Sequence, residues 1–337
     1  MKPAATSPAR YLNLLLHLLE QRDIDCAPAL SPLGIERARL AHPLAKVPTG
    51  PAIRTFQQLV GEHGGAALGL QLGQLITAGQ LGELGHTVLS CATLGEALHC
   101  VEEFYDVISP SFRFQVKQQP HICELAWFPA QAMPYDFMLF CFDMALAAMD
   151  GLLVHLLGDA APLCDAYLTR AQPSHAASYR GLKRMRCHFA HPGVPSLRIC
   201  LPAGVLEHPM PLGNADELAM RRDRLRQSTR PLPQDDLLSW VDMMLRQTVG
   251  EQPSQSFLAQ MAGVSASTFA RRLATQGTTF REIANRVRHD MARQLLGEGG
   301  LSVGEVSARL GYADTPSFVR AFKAMAGVTP GRYAGQG

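Results

Sequence analysis

The fold of the C-terminal part follows from two related stretches, LAQMAGV (258–264) with FARRL (269–273) and VSARLGY (306–312) with FVRAF (318–322). Their glycines, Gly263 and Gly311, stand 48 positions apart, whereas Phe269 and Phe318 stand 49 apart, so the second copy has one extra residue in its turn. In each copy a glycine separates two segments with helical spacing of apolar residues. The repeat therefore predicts two helix-turn-helix units, at about 254–275 and 302–325.

Capping patterns extend this prediction to the helices around the units. Thr279 with Glu282 and Ser302 with Glu305 have the spacing of capping boxes, so a helix should begin after each pair. The first of these helices, over 279–296, should span about 27 Å at 1.5 Å per residue. It predicts a spacer that sets the second helices of the two units about 34 Å apart, one turn of a DNA duplex.

The distribution of charge separates the C-terminal part from the rest. Residues 1–218 contain 15 Lys and Arg against 19 Asp and Glu, and residues 219–337 contain 16 against 10. Arg271 and Arg320 fall between the apolar positions of the second helices, on a different face, where an arginine can pair bidentately with guanine. Solvated arginines on a small helical bundle are the alternative for one isolated unit, but two copies at matched spacing favour DNA binding.

The N-terminal part has the mixed pattern of an α/β domain. Alternating segments predict strands, and longer periodic segments predict helices. We expect an N-terminal segment over 1–20, an α/β effector-sensing and dimerisation domain over 21–210, a linker helix over 211–233 and an all-α DNA-binding domain over 234–337. Within these we predict strands at 112–116, 123–127, 166–170 and 197–201, helices at 93–104, 135–157 and 214–227, a turn-rich loop at 79–85, and a helix end at Pro231 and Pro233.

The first 210 residues contain no set of catalytic residues. They have no G-x-S-x-G, G-K-[ST] or G-x-G-x-x-G pattern, so we expect no enzymatic activity and no cofactor. Cys187, His188 and His191 lie close together, but zinc needs four well-placed ligands, so reduced thiols and loop histidines are the favoured interpretation and no metal is expected. For an effector, Arg113 or Arg180 is a candidate for an acidic group, and Trp127 and Phe137 are candidates for an apolar pocket wall.

Two regions of the sequence resemble a known family. LGYADTPSFVRAFK (310–323), followed by GVTP (327–330) and Tyr333, closely resembles the signature of AraC/XylS transcription regulators, and GVSASTFARRL (263–273) with GTTF (277–280) fits its first unit. LGELGHTVLS (81–90), TLGEAL (93–98) and LEHPMP (206–211) resemble the subgroup with an arabinose-binding-like, ornithine-regulator-like N-terminal domain.

The resemblance implies roles for individual residues. The family's base-reading positions fall on Ser267, Ala270, Arg271, Thr315, Pro316, Ser317 and Arg320. Ala270 and Pro316 have no side-chain donor, so they are expected to contact a thymine methyl group or nothing. Thr268, Arg272, Thr278 and Lys323 are candidates for phosphate contacts, which position the protein without reading sequence. Ser307 stands where the family commonly has alanine.

These observations predict a sequence-specific DNA-binding transcription regulator, an activator, that works in the cytoplasm. The expected partners are double-stranded DNA, a small-molecule effector, RNA polymerase and a second copy of the chain, with no membrane. The alternative is a DNA-binding tail joined to an enzymatic N-terminal domain, and the missing nucleophile and metal signatures argue against it.

Overall fold

The computed structural model describes residues 6–42, 45–63, 67–228 and 236–334. Within them the chain forms two compact units. The first comprises the described residues of Met1–Pro129, Met133–Phe189 and Ser196–Gln234, and the second comprises those of Ala130–Ala132, Ala190–Pro195 and Asp235–Gly337. Pro231 and Pro233, which were expected to end the linker helix, lie outside the described residues.

The first unit is a mixed α/β fold, as the sequence predicts. Its strands are β1 (Thr6–Pro8), β2 (Lys46–Pro48), β3 (Phe112–Gln118), β4 (Ile122–Pro129), β5 (Cys164–Leu168), β6 (Met185–His188) and β7 (Leu197–Pro202). Its helices are α1 (Arg10–Glu20), α2 (Ala27–Leu30), α3 (Arg37–Leu40), α4 (Thr49–His63), α5 (Leu68–Gln74), α6 (Glu83–Leu89), α7 (Leu94–Glu103), α8 (Tyr105–Ile108), α9 (Tyr135–Leu157) and α10 (Ala215–Ser228).

The main sheet of this unit has the strand order β3-β4-β7-β5-β6. Its neighbouring strands are antiparallel, except that β5 and β6 run parallel. Leu197, Ile199 and Leu201 of β7 are all buried, which is the period-two pattern of a strand with one face in the core. The four predicted strands are present, and β5 begins and ends two residues earlier than predicted. Strand β6, which the sequence did not reveal, has only four residues, two of them exposed.

Helix α9 is the central helix of the first unit, and α5 crosses it closely. Gly69 and Gly73 lie one turn apart on α5, and a Cβ atom on them would approach the carbonyl oxygens of Phe140 and Met144 to 2.7 and 2.3 Å. Because no side chain fits at those distances, only glycine lets the two backbones approach this closely. On the sheet side, Phe142 of α9 packs against Phe112 of β3, with ring centroids 5.6 Å apart.

The same helix is apolar enough to raise the question of a membrane. By length and composition alone, Tyr135–Ala160 is able to span a membrane. An 18-residue window within it has a mean hydropathy of 1.9, but 56% of that window is buried inside the protein. Its two buried aspartates bond to neighbouring loops: Asp143 accepts from Arg170 at 3.1 Å, and Asp150 accepts from the backbone N–H groups of Lys183 and Arg184. These contacts are those of a core helix.

The segment 79–85 corrects one prediction, since it is helical rather than a loop. A 3-10 helix covers Ala78–Leu81, and α6 begins at Glu83. A Cβ atom on Gly85 would lie 1.7 Å from the carbonyl oxygen of Ala78. Gly85 is therefore needed for close packing between these two helices, and sequence pattern alone does not distinguish this use of a glycine from a loop.

Helix α10, in the predicted linker, packs on the first unit. Leu218 and Leu225 form its buried face. Its arginines make ion pairs with Glu83 of α6 and Glu103 of α7, in the pairs Arg221–Glu83, Arg222–Glu103 and Arg226–Glu103. This helix is therefore held by the same unit that the sequence predicts to be the sensor.

The second unit is helical, as expected. Its helices are α11 (Leu237–Arg246), α12 (Gln255–Met261), α13 (Ala266–Thr275), α14 (Phe280–Gly297), α15 (Val303–Arg309), α16 (Thr315–Ala326) and α17 (Pro330–Ala334). Both predicted capping boxes are present, at the starts of α14 and α15. In α14, Ile283 and Val287 are buried in the first half, and Ala292 and Leu296 pack with Phe318 in the second.

Candidate functional site

The first helix-turn-helix unit consists of α12, a tight turn and α13. The turn closes in a Schellman arrangement: the N–H of Val264 donates to the carbonyl of Ala259 at 3.0 Å, and the N–H of Gly263 donates to that of Gln260 at 2.9 Å. Gly263 has a φ of 68°, in the left-handed region that favours glycine. Ser265 then caps α13 by accepting from the N–H of Thr268.

The second unit, α15 and α16, repeats this turn. The N–H of Tyr312 donates to the carbonyl of Ser307, and that of Gly311 donates to the carbonyl of Ala308, both at 3.1 Å. Gly311 has a φ of 76°. The extra residue of the second copy lies between this turn and the cap, and the cap of α16 is Asp314 rather than a serine.

The second helix of each unit divides into a buried and an exposed face. Phe269 and Leu273 of α13 are fully buried, and Phe318 and Phe322 of α16 are at most 2% exposed. Arg271 and Arg320 are exposed. Each second helix thus presents its arginine on the side away from the core, which is the geometry that a helix needs to enter a major groove.

In the first helix-turn-helix unit, the residues predicted to contact DNA lie on one helix and the turn after it. Ser267, Ala270, Arg271 and Arg272 are exposed on α13. Thr268 is half-buried, and its hydroxyl oxygen accepts from Ser265 at 3.0 Å. Thr278 is half-buried beyond the helix, and its hydroxyl donates to Glu282 at 3.1 Å.

In the second unit, a chain of hydrogen bonds orders the predicted residues of α16. The backbone N–H and the hydroxyl of Ser317 both donate to the Asp314 carboxylate, at 2.6 and 2.9 Å. Arg320 in turn donates to the Ser317 hydroxyl oxygen at 3.0 Å. The bonds from Ser317, the backbone bond first, lower the pKa of Asp314, so the carboxylate stays ionised. Pro316 and Lys323 are exposed, and Thr315 is half-buried.

Sequence reasoning missed the part that Asp314 plays in this site. The signal was available, because an aspartate directly before a helix is a frequent N-cap residue. Its side chain connects the cap of α16 to the arginine that is expected to read a base.

In the α/β unit, the four effector candidates do not share a site. Trp127 lines a cavity of about 100 Å³, Phe137 lines an adjoining cavity of about 60 Å³, and Arg180 lines a separate surface pocket of about 460 Å³. Arg113 is half-buried on β3, where burial lowers its pKa, and it lines none of these three. Trp127 and Phe137 are therefore neighbours in space, whereas the two arginines lie elsewhere.

The two adjoining cavities are apolar. Their shared wall consists of Tyr11, Ile108, Ser109, Phe112, Cys141 and Met144. The larger is further lined by Ile76, Leu81, Val101, Tyr105, Trp127, Phe142, Ala145, Ala148, Met149 and Leu152. In the described part of the chain, no Asp, Glu, Lys, Arg or His lines either one.

The cysteines and histidines do not assemble into a metal site in the part of the chain that the structure describes. There, no group of three or more His, Cys, Asp or Glu side chains is placed to hold an ion. His188 instead hydrogen-bonds Asp165 at 2.8 Å, and Cys187 is a half-buried free thiol whose pKa burial raises to about 12.

Comparison with known families identifies both parts of the chain. Residues 24–210 match the family described as the arabinose-binding domain of AraC transcription regulators, and residues 258–336 match a helix-turn-helix domain. The first match alone covers more than half of the 337 residues. The chain belongs to the AraC-type transcription regulators that carry this N-terminal domain.

Individual relatives agree with this assignment along almost the whole chain. An ornithine utilization regulator from Pseudomonas aeruginosa is 29% identical over 97% of this chain and 95% of its own length. An uncharacterized HTH-type transcriptional regulator from Mycobacterium tuberculosis is 26% identical over 98% and 96%. Among solved structures, the transcriptional regulator CdpR from Pseudomonas aeruginosa covers 98% of this chain and 99% of its own, with 23% identity and a TM-score of 0.49.

These comparisons establish the class of function. The chain is a DNA-binding transcription regulator with an N-terminal sensing domain, and its relatives are regulators rather than enzymes. The alternative of an enzymatic N-terminal domain has no support in them.

Proposed function

We propose that α13 and α16 enter two successive major grooves on one face of a DNA duplex. The observation that carries this proposal is the repeated geometry of the two helices. Arg271 lies opposite the buried pair Phe269 and Leu273, and Arg320 lies opposite its own buried aromatic pair. Two exposed arginines on equivalent helices, joined by the 18-residue helix α14, suit two grooves about 34 Å apart.

Within this arrangement the base-reading residues are Ser267, Ala270, Arg271, Thr315, Pro316, Ser317 and Arg320. The arginines pair with guanine, and Ala270 and Pro316 offer only apolar contact. Ser317 contributes mainly by orienting Arg320, since its hydroxyl already bonds both Asp314 and that arginine.

The phosphate contacts fall to Arg272, Lys323, Thr268 and Thr278. Arg272 and Lys323 are exposed cations and contribute sequence-independent affinity. The two threonines are half-buried and bonded to neighbouring side chains, so they contribute less.

The α/β unit, which contains the sensor domain over 21–210, binds a small-molecule effector and joins two copies of the chain. The segment 1–20 adds α1 to it, 211–233 forms the linker and 234–337 forms the DNA-binding domain. The bound dimer activates transcription through RNA polymerase, and it acts in the cytoplasm, where its DNA target lies. Membership of the AraC-type regulators supports this part of the proposal.

In-vitro selection of DNA bound by the full chain tests the geometry. We expect two conserved blocks per protomer, with centres about 10 base pairs apart. A single conserved block per protomer, unchanged by Arg271→Ala, would show that only one of the two helices reads sequence.

A further inference from the structure

The cavity lined by Trp127 is the strongest unassigned feature of the α/β unit. It lies between α9, α1, α8 and the sheet, and no charged side chain among the described residues lines it or its neighbour. An unpaired charge placed there would lose its hydration without gaining a partner, at a cost of several kcal/mol. A cationic or anionic effector group is therefore excluded from this space by its chemistry.

The hydroxyl groups of the larger cavity's wall come from two phenols, Tyr11 and Tyr105, and from Ser109. The Trp127 indole N–H, which can only donate, favours a lower pKa of the Tyr105 hydroxyl, but burial outweighs it. Burial raises the pKa of Tyr11 to about 12 and raises that of Tyr105 further, so both stay protonated at neutral pH. The wall thus offers hydrogen-bond donors to a neutral acceptor such as an alcohol or a carbonyl oxygen.

The dimensions limit the size of the ligand. At about 100 Å³ the cavity is somewhat smaller than an apolar cavity of about 150 Å³ that accepts benzene. Met144, an unbranched side chain with several rotatable bonds, lies in the wall shared with the adjoining 60 Å³ cavity. Its movement would join the two spaces and admit a single ring with a short substituent.

A packed core connects this cavity to the linker helix. Ile76, Leu81 and Ala148 of the cavity wall belong to the same cluster of buried side chains as Leu218 and Leu225 of α10. A ligand that displaces the wall therefore acts on the residues against which α10 packs. Such contiguous packing is a physical route for coupling, and its strength has to be measured.

From these observations we propose that the cavity binds a small neutral molecule, mainly apolar and with one hydrogen-bond acceptor, and that α10 transmits its occupancy to DNA binding. This inference rests on the proposed effector-sensing function and gives it a ligand class.

The first test uses the fluorescence of Trp127. The chain has two tryptophans, so Trp240→Phe in the full chain leaves Trp127 as the single reporter. We expect benzyl alcohol to change its emission saturably, at concentrations that leave the far-UV circular dichroism unchanged, whereas benzoate and ornithine do not. No saturable response to benzyl alcohol, or an equal response to either charged molecule, would overturn the ligand class.

Variants of the wall locate the binding. Ala148→Leu should reduce the affinity for both benzyl alcohol and toluene, because it fills the cavity. Tyr11→Phe should weaken benzyl alcohol about two- to tenfold, the value of one hydrogen bond, and leave toluene unchanged. Tyr167→Phe, on β5 outside the cavity, is the matched control and should change neither. If Tyr167→Phe has the same effect as Tyr11→Phe, the hydroxyl assignment is wrong.

DNA affinity measured in the same samples distinguishes this inference from the proposed function. Benzyl alcohol should shift the affinity of the full chain for its selected site, and Leu225→Ala should diminish that shift while keeping the fluorescence response. A fluorescence response with no shift in DNA affinity would refute the coupling through α10. A chain that selects no DNA sequence would instead refute the proposed function, and the titration of the cavity would still be interpretable.

Discussion

The two helix-turn-helix units share a turn but begin their reading helices differently. Both turns have the same pair of backbone hydrogen bonds and a left-handed glycine. In the first unit Ser265 caps α13, and among the described residues no hydrogen bond or ion pair holds Arg271. In the second, Asp314 caps α16 and orders Arg320 through Ser317. The cap, the third residue after it and the arginine have the same spacing in both units, as Ser265, Thr268 and Arg271 and as Asp314, Ser317 and Arg320. The residue types at the first two positions therefore distinguish the adaptable arginine from the pre-oriented one.

The difference teaches how specificity is divided between two similar helices. An arginine already held in place loses less side-chain entropy when it meets a guanine than one that is free to move. The carboxylate that holds it also repels phosphate nearby. We therefore expect the second unit to contribute more to discrimination between bases and the first to tolerate more variation in sequence.

The largest effects should come from the buried phenylalanines that the units have in common. Phe269→Ala and Phe318→Ala should each lower the free energy of unfolding by about 3–5 kcal/mol. Phe318→Ala should cost more, because its ring also contacts the rings of Tyr312 and Phe322, and such pairs add about 0.5–1.5 kcal/mol. Hydrogen exchange of the full chain, resolved by peptide, measures both, and a greater loss for Phe269→Ala would contradict the comparison.

The arginines should show the next largest effects. Arg271→Ala and Arg320→Ala should each reduce discrimination at one base position by about 1–3 kcal/mol, in different blocks of the site. Binding to a panel of single-base variants measures this loss. Lys323→Ala is the control: it should weaken all sites alike and reduce the salt slope by about 1. Unchanged specificity in both arginine variants would eliminate the assigned reading positions.

As the pH falls, the second helix-turn-helix unit should lose stability before the first. Hydrogen bonds lower the pKa of Asp314 at the start of α16 and of Glu305 at the start of α15, whereas serines cap α12 and α13. A lowered folded-state pKa contributes stability that is complete above the unfolded values, about 3.9 and 4.3, and is lost as the pH falls below them.

Amide protection of α15 and α16, corrected for intrinsic exchange, should therefore fall below about pH 4 relative to that of α12 and α13. It should stay constant between pH 5 and 8. Asp314→Asn with Glu305→Gln keeps acceptors that do not titrate, so this variant should abolish the difference. A difference that persists in it would assign the acid sensitivity to other groups.

The smallest effect should come from the one buried hydroxyl of the second turn. Ser307 donates to the carbonyl of Asp314 at 3.4 Å, so Ser307→Ala should cost less than about 1 kcal/mol. Its counterpart in the first unit is the buried Ala259, and Ala259→Ser should cost more, about 1–3 kcal/mol, if the new hydroxyl is left without a partner. Denaturant unfolding of the two variants decides this, and equal costs would mean that both turns can satisfy a hydroxyl.

Sequence periodicity predicted most of the helical unit because its signals are local. Glycine turns, capping boxes and apolar pairs four residues apart each act within a few positions, and Thr279 and Ser302 both cap the helices that they were expected to cap. For the same reason, the sequence alone predicted the α/β class and four strands of the N-terminal compact unit.

What sequence did not reveal depends on contacts between distant residues. The strand order, the crossing of α5 on α9 through Gly69 and Gly73, and the separation of Arg113 and Arg180 from Trp127 are all set by tertiary packing. A glycine reads the same way in a loop as at a helix crossing, which is why 79–85 was predicted wrongly. The link from Asp314 to Arg320 was missed because it joins three side chains rather than two.

The shared helix α14 also fixes the rotational phase between the two reading helices. Its buried face serves the first unit at Ile283 and Val287 and the second at Ala292 and Leu296. One residue inserted between these halves would turn everything after it by about 100° and move it 1.5 Å, whereas seven would nearly restore the angle. In the proposed two-groove complex, the length of α14 therefore sets the spacing between the two conserved blocks of the binding site.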